Sequence, residues 1–380
     1  MLFRTVIGQE PAKAQLRQMV SQQRLPHALL LLGPPGSGKL ALALALAQYV
    51  LCEQPSTAEA CGQCRNCVKA GKLIHPDLHF SYPTVGTNVT SDAFLTQWRS
   101  ALTQNPYLDI NQWLQLIGAE NRQGNINKEE CVQIIRKLSL KTYEARYKIL
   151  VMWLPEHLGK EGNRLLKIIE EPPDNTVFIL VAEDPEQILG TILSRCQIVK
   201  VQPLSDEDVV NGLLQQETLH DRAKAQSIAQ LASGNFNEAL NLAGEQINDK
   251  ADLFLDWLRK AYQGNGVALV KWVDQFAKLG RENQKHLIRY GLHFLREFML
   301  LKLSGEARVR LLPAELDTAR KLTPLIGLDQ LDHLVTLLND CAYHVERNAN
   351  PKVLFLDASI RMNQILRQQH SVRHAGRDRA

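Results

Sequence analysis

The chain has 380 residues, room for two to four domains, and 45% hydrophobic against 22% charged residues excludes wholesale disorder. Lys plus Arg number 44 against 40 for Asp plus Glu, so the net charge of +4 permits a local basic patch but does not establish nucleic-acid binding. The most apolar stretch, 40–51, is too short for a membrane span, and the first residues lack a secretory pattern. A cytoplasmic location with reduced thiols is the expectation.

Along the first half, 11–22 reads as a helix, 28–32 as a buried strand and 40–52 as a helix. In the last of these, Leu40, Leu42, Leu44 and Leu46 alternate with alanines at a strand period. The absence of β-branched residues before Val50 decides for helix, because Ala and Leu are strong helix formers. Residues 81–125 carry no clear period and read as an insertion in the first domain. A helix at 128–138, a strand at 147–153, a helix at 163–171 and a strand at 176–182 follow. Buried strands alternating with helices predict a parallel α/β sheet with helices on both faces.

Ser205-Asp206-Glu207-Asp208 supplies a cap and an acidic first turn for a small helical unit that runs to about residue 244, interrupted at Ser233-Gly234-Asn235. Thirteen of the sixteen prolines lie at or before Pro203, so the remainder is free to be helix. Helical patterns at 251–262, 267–279, 281–303, 328–345 and 352–368 predict a separate all-helical domain. Phe254, Leu258, Leu292, Leu295, Leu331, Leu334, Val335 and Leu338 are its candidate core. The stretch 369–380, with Arg373, Arg377 and Arg379, reads as a disordered basic tail.

Gly33-Pro34-Pro35-Gly36-Ser37-Gly38-Lys39 follows a predicted strand and opens a predicted helix, the setting a phosphate loop requires. Its glycines let backbone N–H groups approach phosphate oxygens, and Lys39 adds a charge for the β- and γ-phosphates of a nucleotide such as ATP. The next residue is Leu40, which has no hydroxyl for Mg²⁺. A second strand should end in an acidic pair, yet the strand at 147–153 runs into Trp153-Leu154-Pro155-Glu156. Glu156 lies beyond a proline and reads as a surface residue at a loop or helix start, with a displaced catalytic glutamate as the alternative. Two metal-handling elements are thus missing, the pattern of an ATPase fold that has lost hydrolysis.

Of seven cysteines, Cys52, Cys61, Cys64 and Cys67 fall within sixteen residues, where chance would put about 0.3. Their spacing suits four thiolates around one tetrahedral Zn²⁺ in a closed, structural site. Disulfides and an iron–sulfur cluster are the alternatives. Lys69 and Lys72 read as a solvated face, His75 and His79 as structural, and Cys131, Cys196 and Cys341 as small core residues.

Several motifs carry a family resemblance. Asn163-Arg164-Leu165-Leu166-Lys167-Ile168-Ile169-Glu170-Glu171-Pro172-Pro173 and Thr191-Ile192-Leu193-Ser194-Arg195-Cys196 resemble signatures of bacterial clamp-loader subunits of the AAA+ class. Val6-Ile7-Gly8-Gln9 and Arg24-Leu25-Pro26-His27-Ala28 are similar to segments that precede the phosphate loop there. The resemblance implies an AAA+ domain with a zinc module at 1–203, a helical lid at 204–245 and a helical collar at 246–368. Hydrolysing gamma/tau members would carry Thr at 40, an Asp-Glu pair at 153–154, a threonine near Ala182 and an arginine near Asn237. All four are altered while Ser194-Arg195-Cys196 is kept, which resembles the delta-prime branch of DNA polymerase III. The resemblance then implies Arg195 as an arginine finger in trans, delta and gamma/tau subunits as partners, and the beta sliding clamp and primed DNA as targets. A gamma/tau-like ATPase and a zinc-dependent DNA-binding module on a relic fold are the competing readings.

Overall fold

In the computed structural model, residues 1–367 are described except Asn121, Glu217, Thr218, His220, Glu245, Gln246, Ala307, Arg308, Arg310, Leu312 and Asn348. The basic tail expected at 369–380 lies outside the described residues. The described chain divides into two compact units, residues 1–222 with 232–241, and residues 223–231 with 242 onward. Among the described residues no helix is long and apolar enough to cross a membrane.

The first unit is built on a five-stranded parallel sheet. Helix α1 (Glu10–Ser21) leads to strand β1 (Ala28–Leu32), helix α2 (Lys39–Leu51) and a short helix α3 (Arg65–Gly71). Strand β2 (Leu78–Ser81) precedes helices α4 (Leu95–Gln104), α5 (Ile110–Leu116) and α6 (Lys128–Ser139). Strand β3 (Lys148–Trp153), helix α7 (Leu166–Glu170), strand β4 (Thr176–Ala182), helix α8 (Gly190–Leu193) and strand β5 (Gln197–Lys200) complete the sheet region. Spatial order is β2-β3-β4-β1-β5. Ala28 pairs with Phe178 and Leu29 with Gln197, which places β1 between β4 and β5.

β3 and β4 are buried along their whole length, and their unbroken apolar runs are what a strand covered on both faces requires. α2 is buried on nearly all sides and packs against β1, β3, β4, α1 and α3. A helix with no solvent face needs no amphipathic stripe, which is why its leucines and alanines alternate without a helical period.

Three expectations need correction. The helix expected over 163–171 is a true α-helix only in α7; residues Pro155–Leu165 form 3₁₀ turns broken at Gly159, whose φ is +50°. β2 and β5 were not visible in the sequence, because each has four residues and lies at a sheet edge. Residues 81–125 contain α4 and α5 and hold an aromatic cluster. Tyr82 stacks on Trp98 with ring centroids 4.1 Å apart, and Trp113 meets both edge-on at 5.0 Å. Trp153, at the end of β3, joins Trp98 at 5.2 Å.

Helices α9 (Asp206–Gln215), α10 (Arg222–Ala232) and α11 (Phe236–Gly244) follow. The second unit contains α12 (Ile247–Gln263), α13 (Gly266–Phe276), α14 (Arg281–Ser304), α15 (Pro313–Leu322), α16 (Leu328–Glu346) and α17 (Pro351–Arg367). α15 was missed by sequence reading. Phe254, Leu258, Leu295, Leu331, Leu334 and Leu338 are buried in one core, with Leu292 and Val335 packed against it. Trp257 and Trp272 stack 5.2 Å apart at its centre, and the Trp257 indole N–H donates to Ser359 Oγ at 2.9 Å.

Candidate functional sites: a phosphate loop, a held arginine and a thiol cluster

Residues 33–39 turn at the C-terminal end of β1, where parallel sheets gather ligands. Gly33 N–H donates to Ala182 O at 3.2 Å, and a Cβ on Gly33 would lie 2.0 Å from Val201 O. Gly36 and Gly38 have φ of +65° and +89°, conformations that favour glycine. Lys39 is 4% exposed; its Nζ donates to Pro34 O at 2.5 Å and lies 3.7 Å from Glu183 Oε1. Burial lowers the Lys39 pKa, with Glu183 and Glu156 pulling the other way, and burial raises that of Glu183.

The loop is packed by other segments of the same unit. Phe236 N–H donates to Gly36 O at 3.0 Å and Gln9 Nε2 to Ser37 O at 2.9 Å. The Asn235 carboxamide covers Gly36 so closely that a Cβ there would fall 1.7 Å from Oδ1. The Tyr107 ring covers Gly38, and its hydroxyl accepts from Ile7 N–H at 2.9 Å.

The positions that the sequence marks as altered from the hydrolysing pattern are enclosed. Leu40 and Leu154 are each 4% exposed and Trp153 3%. Ala182 is fully buried, and buried Asn237 accepts from Asn105 Nδ2 at 2.7 Å. Glu156 is not the free surface residue expected. Its Oε1 accepts from Asp184 N–H at 2.9 Å and also from Glu183 N–H, tying the segment after β3 to the segment after β4. Its Oε2 is buried without a partner. Sequence reading missed Glu183 altogether; an acidic residue immediately after a buried strand was the available signal.

Arg195 lies just past α8, where its N–H donates to Ile192 O at 3.1 Å. Its Nε and Nη2 donate to Glu170 Oε2 at 2.9 and 2.7 Å, and Nη1 donates to Thr191 O at 3.0 Å and to Ser194 Oγ at 3.5 Å. None of these partners belongs to the phosphate loop. Burial pushes the neighbouring Cys196 thiol up to about 11, as for a packing residue.

The Sγ atoms of Cys52, Cys61, Cys64 and Cys67 all lie within 4.8 Å of one another. The Cys61–Cys67 separation is 3.8 Å, far beyond a disulfide of about 2.05 Å. It matches the edge of a tetrahedron with metal–sulfur bonds of about 2.3 Å, which is about 3.8 Å. The four thiols could therefore hold one metal ion. Cys64 caps α3, accepting from Cys67 N–H at 3.4 Å, while Cys61 Sγ accepts from Cys64 N–H at 3.3 Å. The N–H groups of Cys64 and Gln63 hold the Cys61 thiol down to about 6, favouring the thiolate. His75 stays outside the cluster: Asp77 N–H donates to its Nδ1 at 3.1 Å and its Nε2 faces Glu144 Oε1 at 3.5 Å. Lys69 is not merely solvated; it pairs with Glu144 at 2.6 Å.

A family model described as DNA polymerase III, delta subunit matches residues 8–205, more than half of the chain. The chain belongs to this family. The matched segment contains the phosphate loop, the thiol cluster and Arg195. The chain is similar to DNA polymerase III subunit tau of Bacillus subtilis, 24% identical over 390 residues that cover 96% of this chain and 62% of the relative. It is also similar to DNA polymerase III subunit delta' of Escherichia coli, 30% identical over 219 residues that cover 57% of this chain and 54% of the relative. The chain thus spans 54–62% of the length of these two relatives. Among solved structures it is similar to a gamma subunit-related protein of Thermotoga maritima, with a TM-score of 0.41 and 15% identity over 94% of this chain and 100% of that one.

Proposed function

We propose that the chain is a delta-prime-type subunit of a DNA polymerase III clamp loader, a non-hydrolysing stator on an AAA+ fold. The observation that carries this reading is the filling of the hydrolytic positions. Leu40, Trp153 and Leu154 are apolar and buried, so no oxygen stands there to ligate Mg²⁺ or polarise water. Arg195, by contrast, keeps 30% of its side chain exposed and would complete a neighbouring ATPase site in trans. Its planar fork suits phosphate oxygens, and such an arginine stabilises charge developing on the transferred group. Delta and gamma/tau subunits are the proposed partners, and loading of the beta sliding clamp onto primed DNA in the cytoplasm is the proposed task. Residues 204–245 would serve as the lid and 246–368 as the collar. Cys52, Cys61, Cys64 and Cys67 would hold zinc, which would stiffen the segment after α2 and leave no open position for chemistry.

A second reading, a gamma/tau-like ATPase, is favoured by the similarity to tau over 96% of the chain. The intact Lys39 with Glu156 and Glu183 beside it points the same way. ATP hydrolysis by the purified chain with Mg²⁺ and primed DNA separates the two. No turnover is expected. Turnover that Lys39→Ala abolishes would replace the stator by the motor. For the arginine, Arg195→Ala is expected to depress ATP turnover of the reconstituted assembly while leaving assembly intact.

A further inference from the structure

We propose that Glu170 is the positioning residue for Arg195, holding the guanidinium so that its terminal edge faces outward to take phosphate oxygens. The inference rests on the reading of Arg195 as an arginine supplied in trans. A guanidinium has five N–H donors in a fixed fork. Glu170 Oε2 takes the side edge, Nε at 2.9 Å and Nη2 at 2.7 Å, while Nη1 donates to Thr191 O at 3.0 Å and, at 3.5 Å, to Ser194 Oγ. The second N–H of Nη2 remains, and the contact of Nη1 with Ser194 Oγ, at 3.5 Å, is long enough to be exchanged for a phosphate oxygen, which makes the terminal pair that grips phosphate bidentately. A carboxylate placed to block the arginine would occupy that terminal edge instead.

The support is itself stiff. Glu170 is the last residue of α7, and Glu171-Pro172-Pro173 follows directly. Proline fixes its own φ and restricts the residue before it, so the carboxylate stands on a chain segment with little freedom. Thr191 contributes a backbone carbonyl from α8, four residues before Arg195. Two separate elements thus define the guanidinium plane. Without Glu170 the long arginine side chain would sample rotamers in water and meet a neighbour's phosphate in the right pose only part of the time. A misplacement of about 1 Å at a transition-state contact is enough to cost up to about a hundredfold in rate.

The test uses the full chain reconstituted with wild-type partner subunits. The Arg195-dependent part of ATP turnover is the wild-type rate minus that of Arg195→Ala. Glu170→Ala is expected to keep less than about a tenth of that part, with the KM for ATP within about twofold of wild type. Glu170→Gln keeps an oxygen that accepts from Nε and Nη2, so it is expected to fall between wild type and Glu170→Ala. The double variant Glu170→Ala/Arg195→Ala should match Arg195→Ala alone. The Glu170 side chain is 56% exposed, so neither substitution disturbs the core, and gel filtration of the assembly checks that. Wild-type turnover in Glu170→Ala, with turnover lowered in Arg195→Ala, would overturn the positioning role and leave the arginine finger standing. Raised turnover in Glu170→Ala would also overturn it, since the carboxylate would then be a block. An Arg195→Ala assembly with unchanged turnover would sink both.

Discussion

An acidic residue in place of Trp153 should destabilise the sheet rather than add chemistry. Trp153 is 3% exposed, pairs in register with Val181 and packs its ring 5.2 Å from Trp98. Removing a buried aromatic side chain costs about 3–5 kcal/mol. A carboxyl left there without a partner adds about 1–3 kcal/mol. Trp153→Asp should therefore lose about 5 kcal/mol or more, out of the roughly 5–15 kcal/mol that a typical domain holds. In urea, followed by the near-ultraviolet circular dichroism of the tryptophans, the midpoint should fall by about 1.5–2 M at an m-value of about 3 kcal/mol/M. Trp153→Phe keeps a ring in the cluster and is expected to fall less. A Trp153→Asp midpoint within about 0.3 M of wild type would refute the packing argument. Gain of ATP turnover in that variant would refute the wider claim that this position is structural.

The same methods test other features. Gly36→Ala drives a Cβ to 1.7 Å from Asn235 Oδ1 at a φ of +65° and should cost about 2 kcal/mol or more, or about 4–8 °C in Tm. Gly244→Ala meets nothing within 4 Å and is the control; equal Tm values for the two would show that Asn235 does not press on the loop. One zinc per chain should survive gel filtration and be lost in Cys64→Ser, read by metal analysis; undiminished zinc in that variant would exclude the thiol site. His79 has its pKa pushed down to about 4 by burial, then by Lys137 and Lys148. Unfolded His takes up a proton near pH 6.5, so the unfolded state binds more protons between pH 6.5 and 4. Stability should fall as pH drops through that window, and His79→Gln should flatten the slope of the urea midpoint against pH. An unchanged slope would place the proton uptake elsewhere.

The parallel sheet was legible where strands are long, apolar and covered on both faces, as in β1, β3 and β4. β2 and β5 escaped because an edge strand of four residues carries no period. α2 read as helix only through propensity, since burial on all sides removes the amphipathic signal. The thiol cluster and the glycine turn at 33–39 were legible because each depends on local spacing: thiols a few residues apart, and glycines in one turn.

What the tertiary structure alone decided is which distant residues meet. Asn235 and Tyr107 cover the loop glycines, Glu156 ties the ends of two strands together, Lys69 pairs with Glu144, and Glu170 holds Arg195. Each of these joins residues separated by at least 25 positions, so no local period records them. They depend on strand order and on the path of the loops between strands, because only the packed sheet brings those segments within hydrogen-bond reach.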